Sequence, residues 1–150
     1  LTAVSAMIEF QKSLVESFLV AEHAQQILVV DDEENTRIGL SKLLRQEGFS
    51  VGSAAGGHEA LDYLRHTKVN LVISDINMPD MGGLAFLKEL SRHYPSTNVI
   101  MITAYGGVES YLEAMNLGAF EYLHKPVRID ELRSVIYKIF ESGNVVSKSS

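Results

Sequence analysis

The sequence contains no cysteine, so neither a disulfide framework nor a thiolate metal site is available, and nothing points to an oxidising compartment. Long apolar runs are also missing. The hydrophobic stretches fall far short of the roughly 20 residues a helix needs to span a bilayer, and Leu1 to Phe18 lacks the basic flank of a signal peptide. A cytoplasmic setting without a membrane segment is the expectation. Clustered positive charge is the third lack: 13 Lys and Arg stand against 19 Asp and Glu, a formal net charge of -6. The basic residues are scattered, which argues against a nucleic-acid surface on this chain, because phosphate binding needs them clustered. Any DNA-binding function would lie on another chain or another domain.

What is present is enough apolar material for one core: 150 residues, 46% of them hydrophobic. Short apolar runs recur at Ile27 to Val30, more weakly at Ser50-Val51, then at Asn70 to Ile73, Val99 to Ile102 and Phe120 to Leu123. Runs without alternation predict strands covered on both faces. Between them lie segments of helical spacing, clearest at Val108, Tyr111, Leu112 and Met115 and at Leu132, Val135, Ile136 and Ile139. Gly48 and Gly118 follow two of these segments, and Gly56-Gly57 and Gly82-Gly83 precede two others. The alternation predicts an α/β fold with a doubly wound, five-stranded parallel sheet, βα repeated five times over residues 26 to 141. Residues 1 to 25 form an N-terminal amphipathic helix or linker in this reading, and 142 to 150 a flexible tail. The chain opens on Leu1 and ends in the mostly small and polar Gly143 to Ser150, the pattern of a fragment of a longer protein.

In open parallel sheets, ligands gather at the carboxyl ends of the strands. The residues there are Asp31 and Asp32 after the first run, Asp75 after the third, Thr103 after the fourth, and Lys125-Pro126 after the fifth. An isolated Asp after a strand is usually a helix cap or a turn residue, and a lone Lys-Pro is usually a turn. Such local roles do not explain why these polar residues all fall at one edge of the sheet. Three converging carboxylates repel one another unless a cation neutralises them, and hard oxygen ligands favour Mg²⁺. That ion keeps coordination sites for waters and phosphate oxygens, so a phosphoryl ligand is expected, with Lys125 and Thr103 binding its remaining oxygens.

The motifs Val29-Val30-Asp31-Asp32-Glu33, Val72 to Gly83 around Asp75, Met101-Ile102-Thr103-Ala104-Tyr105 and Tyr122-Leu123-His124-Lys125-Pro126 resemble, in order and spacing, those of the receiver domains of two-component response regulators. The resemblance covers residues 26 to about 141 and implies the flavodoxin-like fold. It implies that Asp75 is the phosphoacceptor, that Asp31, Asp32, Asp75 and the backbone carbonyl of Asn77 hold Mg²⁺, and that Lys125 and Thr103 contact the phosphoryl group. Tyr122 stands where such domains carry an aromatic that swings inward as the threonine moves. Asn77 and Tyr105 occupy the positions that tune acyl-phosphate lifetime, and Lys125-Pro126 matches the cis peptide usual in the family. The implied partners are a sensor histidine kinase or a histidine phosphotransfer protein, and an output domain or downstream protein meeting the face from the fourth core helix to the last. The stretch from Thr103 to Ala119 is similar to receivers of regulators that activate transcription through an ATPase domain.

Val4, Met7, Ile8, Phe10, Leu14, Val15, Phe18 and Leu19 give the N-terminal segment a broad apolar stripe that an ordinary receiver lacks. Self-association through this helix is the favoured reading, beside that of a linker helix. His23, His58, His66, His93 and His124 show no ligand spacing and read as surface residues; His23 is not a phosphotransfer histidine, since one helix cannot build the bundle such modules resemble. Met78, Met81, Met101 and Met115 read as packing residues. Three rival readings remain. A Mg²⁺-dependent phosphohydrolase with an Asp nucleophile would need a second acid where Asn77 stands. A nucleotide or flavin module would need a glycine-rich loop where Asp31 to Glu34 stand. A receiver-like protein-binding scaffold would have no use for the complete set of acids, threonine and lysine.

Overall fold

The computed structural model describes the backbone of residues 2–22 and 25–149 and the side chains of 2–14 and 25–141. In chain order the elements are α1 (Thr2–Glu22), β1 (Gln26–Val30), α2 (Glu34–Gln46), β2 (Ser50–Ala54), α3 (Gly57–His66), β3 (Leu71–Asp75), α4 (Gly83–His93), β4 (Asn98–Thr103), α5 (Val108–Asn116), β5 (Glu121–His124) and α6 (Ile129–Ser149). The five strands are parallel in the order β2-β1-β3-β4-β5. The expected doubly wound sheet is therefore present, with its order reversing beside β1.

Strand parity divides the core in two. Leu28, Val30, Val72, Val99, Met101 and Tyr122 face one way, onto Ala60 and Leu64 of α3, Phe86, Leu87 and Leu90 of α4, and Ala114 of α5. Ile27, Val29, Leu71, Ile73, Ile100, Ile102 and Leu123 face the other way, onto Leu44 of α2 and Leu132, Val135, Ile136 and Ile139 of α6. Met78 and Met101 are buried, and Met81 and Met115 pack against the first cluster. Both faces being covered is what removes polar alternation from the central strands.

Some expectations change in detail. Asp75 and Thr103 are the last residues of β3 and β4 rather than the first beyond them, because the ladder continues to pair Asp75 with Ile102 and Thr103 with His124. A polar side chain at a strand end does not interrupt the backbone bonds. Of the stripe Val108, Tyr111, Leu112 and Met115, which lies on a helix, the first three are exposed, while Met115 packs against the first cluster beside the fully buried Ala114. Backbone helix in α6 continues to Ser149, across the stretch read from sequence as a tail; extending a formed helix costs far less than starting one. Val4, Met7, Ile8, Phe10 and Leu14 of α1 are exposed. The side chains of Val15, Phe18 and Leu19, and His23, lie outside the described residues, while His58, His66, His93 and His124 are on the surface. Among the described residues no helix is long and apolar enough to cross a membrane.

Two helices end alike. Gly48 and Gly118 both have φ of 99°, and the pairs of bonds Gly48 N–H to Arg45 O with Phe49 N–H to Leu44 O, and Gly118 N–H to Met115 O with Ala119 N–H to Ala114 O, close the last turns of α2 and α5. Nothing lies within 4 Å of a Cβ placed at Gly48, so substitution there meets only the backbone cost of a left-handed residue. Gly48→Ala is expected to lower stability in urea unfolding by about 1 kcal/mol, and Gly48→Asn by less; an unchanged midpoint for Gly48→Ala would show that the end of α2 is held by something else.

Candidate functional site

Asp31 directly follows β1 and Asp75 ends β3, adjacent strands at the point where the sheet order reverses. They are 5% and 8% exposed, so neither charge is left to water. Lys125, which follows β5, supplies the countercharge: its Nζ lies 3.0 Å from Asp31 Oδ2 and 3.0 Å from Asp75 Oδ2. The Lys125 backbone N–H donates to the Thr103 carbonyl at 2.8 Å, tying the lysine to the end of β4, and the Lys125-Pro126 bond is cis. Asp32 is exposed at the rim. One carboxylate oxygen from each of Asp31, Asp32 and Asp75 lies within 4.8 Å of the others.

Local backbone fixes the acids. The Glu33 N–H donates to Asp31 Oδ1 at 2.9 Å and the Asn77 N–H to Asp75 Oδ1 at 3.1 Å, the same bond two residues onward in each case. Gly83 brings the start of α4 against the end of β3, since a Cβ there would come within 2.5 Å of the Asp75 carbonyl oxygen and Ile76 Cα. Asp80 fastens the intervening loop to α3 by accepting the His58 N–H at 3.3 Å. Its carboxyl is held below the usual value, chiefly by the backbone N–H of Met81.

Thr103 is fully buried, and its Oγ1 accepts bonds from Asn77 Nδ2 at 3.3 Å and from the Tyr105 N–H at 3.1 Å. Tyr122 is buried with its hydroxyl 2.6 Å from Ser110 Oγ, and its ring meets Tyr111 and His124 edge-on. The Tyr105 ring is 87% exposed, so only its backbone is turned toward the cleft. Sequence reasoning thus finds the acids, the lysine and the threonine together. It misses Arg37, whose Nη1 donates to the Asp31 carbonyl at 2.8 Å, and Ser110. A basic residue in the first turn after an acidic strand end could have drawn attention to Arg37; no periodicity marks Ser110.

Partial burial pulls the Lys125 pKa down, but the hydrogen bonds and charges of Asp31 and Asp75 outweigh that and leave it above its ordinary value. A raised folded-state pKa means the ammonium stabilises the fold fully below its ordinary value and ceases to do so as pH climbs through the raised one. The donor set, all carboxylate oxygens with one acid open to solvent, fits Mg²⁺, which prefers few carboxylates and keeps waters. The chain uses Mg²⁺ as its cofactor. Lys125→Ala leaves Asp31 and Asp75 facing each other without an ammonium. We expect a stability loss of about 1–3 kcal/mol in chelator, partly recovered on adding Mg²⁺. Equal melting temperatures in chelator would show that the ammonium is not what reconciles the acids.

Residues 27–137 match the family described as Response regulator receiver domain. Regulatory protein AtoC of Escherichia coli K12 is 40% identical over 116 residues, 77% of this chain and 25% of that protein. Sporulation initiation phosphotransferase F of Bacillus subtilis 168 is 36% identical over 114 residues, 76% of this chain and 92% of that protein. The solution structure of the beryllofluoride-activated NtrC4 receiver domain dimer superposes with a TM-score of 0.74 at 32% identity, covering 78% of this chain and 97% of that one. The chain spans about a quarter of the length of the larger regulatory proteins it matches. With the family match running from β1 into α6, and a relative aligned along nearly its whole length, this chain belongs to the response regulator receiver family.

Proposed function

We propose that Asp75 accepts the phosphoryl group of this Mg²⁺-dependent switch, with Lys125, Thr103 and Asn77 serving the transferred group and Tyr122 relaying the change. The observation that carries the reading is the Lys125 ammonium shared between Asp31 and Asp75 beside a third carboxylate. An Asp75 carboxylate oxygen attacks the phosphorus of a phosphohistidine in line with the leaving imidazole; the P–O bond forms as the P–N bond breaks, and the imidazole departs with the bonding pair. Asp31, Asp32, Asp75 and the Asn77 carbonyl would hold Mg²⁺, which when bound would supply charge neutralisation to the transferring oxygens. Lys125, already within 3.0 Å of Asp75 Oδ2, turns its ammonium onto the new phosphoryl oxygens. Thr103 Oγ1 accepts two N–H bonds and keeps its own proton to donate to one of them. Asn77 carries no carboxyl to activate water, so the chemistry is confined to the chain's own phosphorylation and slow dephosphorylation.

As a receiver the chain works with a sensor histidine kinase or histidine phosphotransfer protein and with a downstream effector. For the first, we favour the mouth beside Asp75, where Leu40 and Leu43 of α2 and Pro126 and Val127 form an apolar wall next to the acids. For the second, we favour the face made by α5, β5 and α6, where Val108, Tyr111, Leu112 and Tyr137 are exposed and Tyr111 touches Tyr122. Thr103 moving toward the phosphoryl group shifts the packing of Tyr122, a change in population between two arrangements. A second copy of the chain covers the exposed stripe of α1, from Val4 to Leu14.

Incubation with radiolabelled acetyl phosphate and Mg²⁺ is expected to label the chain and to leave Asp75→Asn unlabelled; label on the Asn variant would move the acceptor elsewhere. Chasing the labelled protein tests Tyr105: Tyr105→Ala should lose label faster if the ring folds over the phosphoryl group, and an unchanged decay would remove it from the lifetime role. Light scattering should give a doubled mass for the full chain and a monomer for a chain beginning at Gln25, and a full-length monomer would exclude α1 as the assembly element.

A further inference from the structure

The buried Tyr122 ring depends on two neighbours that the phosphoryl chemistry does not use. Its hydroxyl is withdrawn from water with the rest of the side chain, and a buried tyrosine hydroxyl needs a partner. Ser110, in the first turn of α5, supplies one at 2.6 Å. Ser110 Oγ in turn donates to the Gly107 carbonyl at 3.2 Å. The protons therefore run in one direction, from Tyr122 to Ser110 to the backbone that follows Thr103.

The second neighbour acts by lacking a side chain. A Cβ at Gly106 would overlap the Tyr122 hydroxyl and come within 2.6 Å of Thr103 Cγ2. The space taken by the tyrosine tip and the threonine methyl is the same space a side chain at position 106 would fill. Resting on the reading of Tyr122 as relay, we propose that Gly106 and Ser110 are positioning residues that set the balance between a buried and a solvent-facing Tyr122, and through Thr103 the affinity of the chain for a phosphoryl group at Asp75. Gly106 makes the inward place available, and Ser110 satisfies the hydroxyl once it is there. Linkage gives the direction: whatever favours the arrangement a ligand prefers raises the affinity for that ligand. The competing account makes Ser110 only a capping residue of α5 and Gly106 only a loop glycine, in which case neither moves Tyr122.

The test uses the full chain labelled with fluorotyrosine, with the Tyr122 signal identified by its loss in Tyr122→Phe and its exposure read from the fluorine solvent isotope shift. Ser110→Ala and Gly106→Ala should both move that signal to an exposed value, and Ser110→Thr should keep it buried. In titrations with beryllofluoride and Mg²⁺, Ser110→Ala should bind about five-fold more weakly, the effect of one hydrogen bond. The same change made in Tyr122→Phe should add nothing. Should Gly106→Ala fail to fold by circular dichroism, Ser110→Ala and Ser110→Thr decide the matter alone. A Tyr122 signal unmoved in folded variants overturns the proposal. A signal that moves while beryllofluoride affinity stays constant overturns its link to Asp75, and with it the relay reading. Wild-type protein that binds no beryllofluoride defeats the phosphoacceptor reading, while the fluorine signal still decides whether Gly106 and Ser110 position the ring.

Discussion

Asp31 and Asp75 are both nearly withdrawn from water, and carboxylates so placed repel unless positive charge stands between them; Lys125, 3.0 Å from each, provides it. Asp31 and Lys125 are 94 positions apart and Asp75 and Lys125 are 50 apart, so no local segment could assemble this triad. A parallel sheet can, because it delivers successive strand ends to the same edge. Parallel strands in turn require crossovers, and the helices that serve as crossovers cover both faces. The architecture follows from the need to collect distant charged residues on a rigid rim.

That dependence explains what could be read in advance. Strand ends were legible because the central strands are buried on both sides, leaving uninterrupted runs that stop where polar residues begin. The acids and the lysine were legible because their positions are set by those ends. Burial of a helix face was less so. Val108, Tyr111, Leu112 and Met115 have core-like spacing, yet Met115 packs against the core beside the small, fully buried Ala114 while the other three are exposed. Periodicity identifies a stripe but not what it meets. Ser110 and Gly106 were illegible for a different reason: their roles arise only once β5 lies beside β4 and brings Tyr122 to the loop after Thr103.

Thr103 stands between two environments. On one side its hydroxyl belongs to the acidic rim through Asn77; on the other, its methyl lies beside Gly106, across from the Tyr122 hydroxyl. It is also the last residue of β4, paired with His124, and its carbonyl receives the Lys125 N–H. A displacement here is felt by both, because close-packed interiors transmit movement rather than absorbing it. Tyr111, which meets the Tyr122 ring edge-on and is itself exposed, extends this packed series to the outer surface.

The two outermost strands have their own consequence. β2 is five residues long and β5 four, and Tyr63 of α3 lies over Gly52 of β2 closely enough that a Cβ there would strike its ring. Short borders make poor templates for adding a strand from another polypeptide. Growth of the sheet from molecule to molecule is thereby discouraged, and contact with other proteins passes to the helices. Because α5 is one of those helices and touches Tyr122 through Ser110 and Tyr111, the helical surface left open for association is in direct contact with the residue packed behind Thr103.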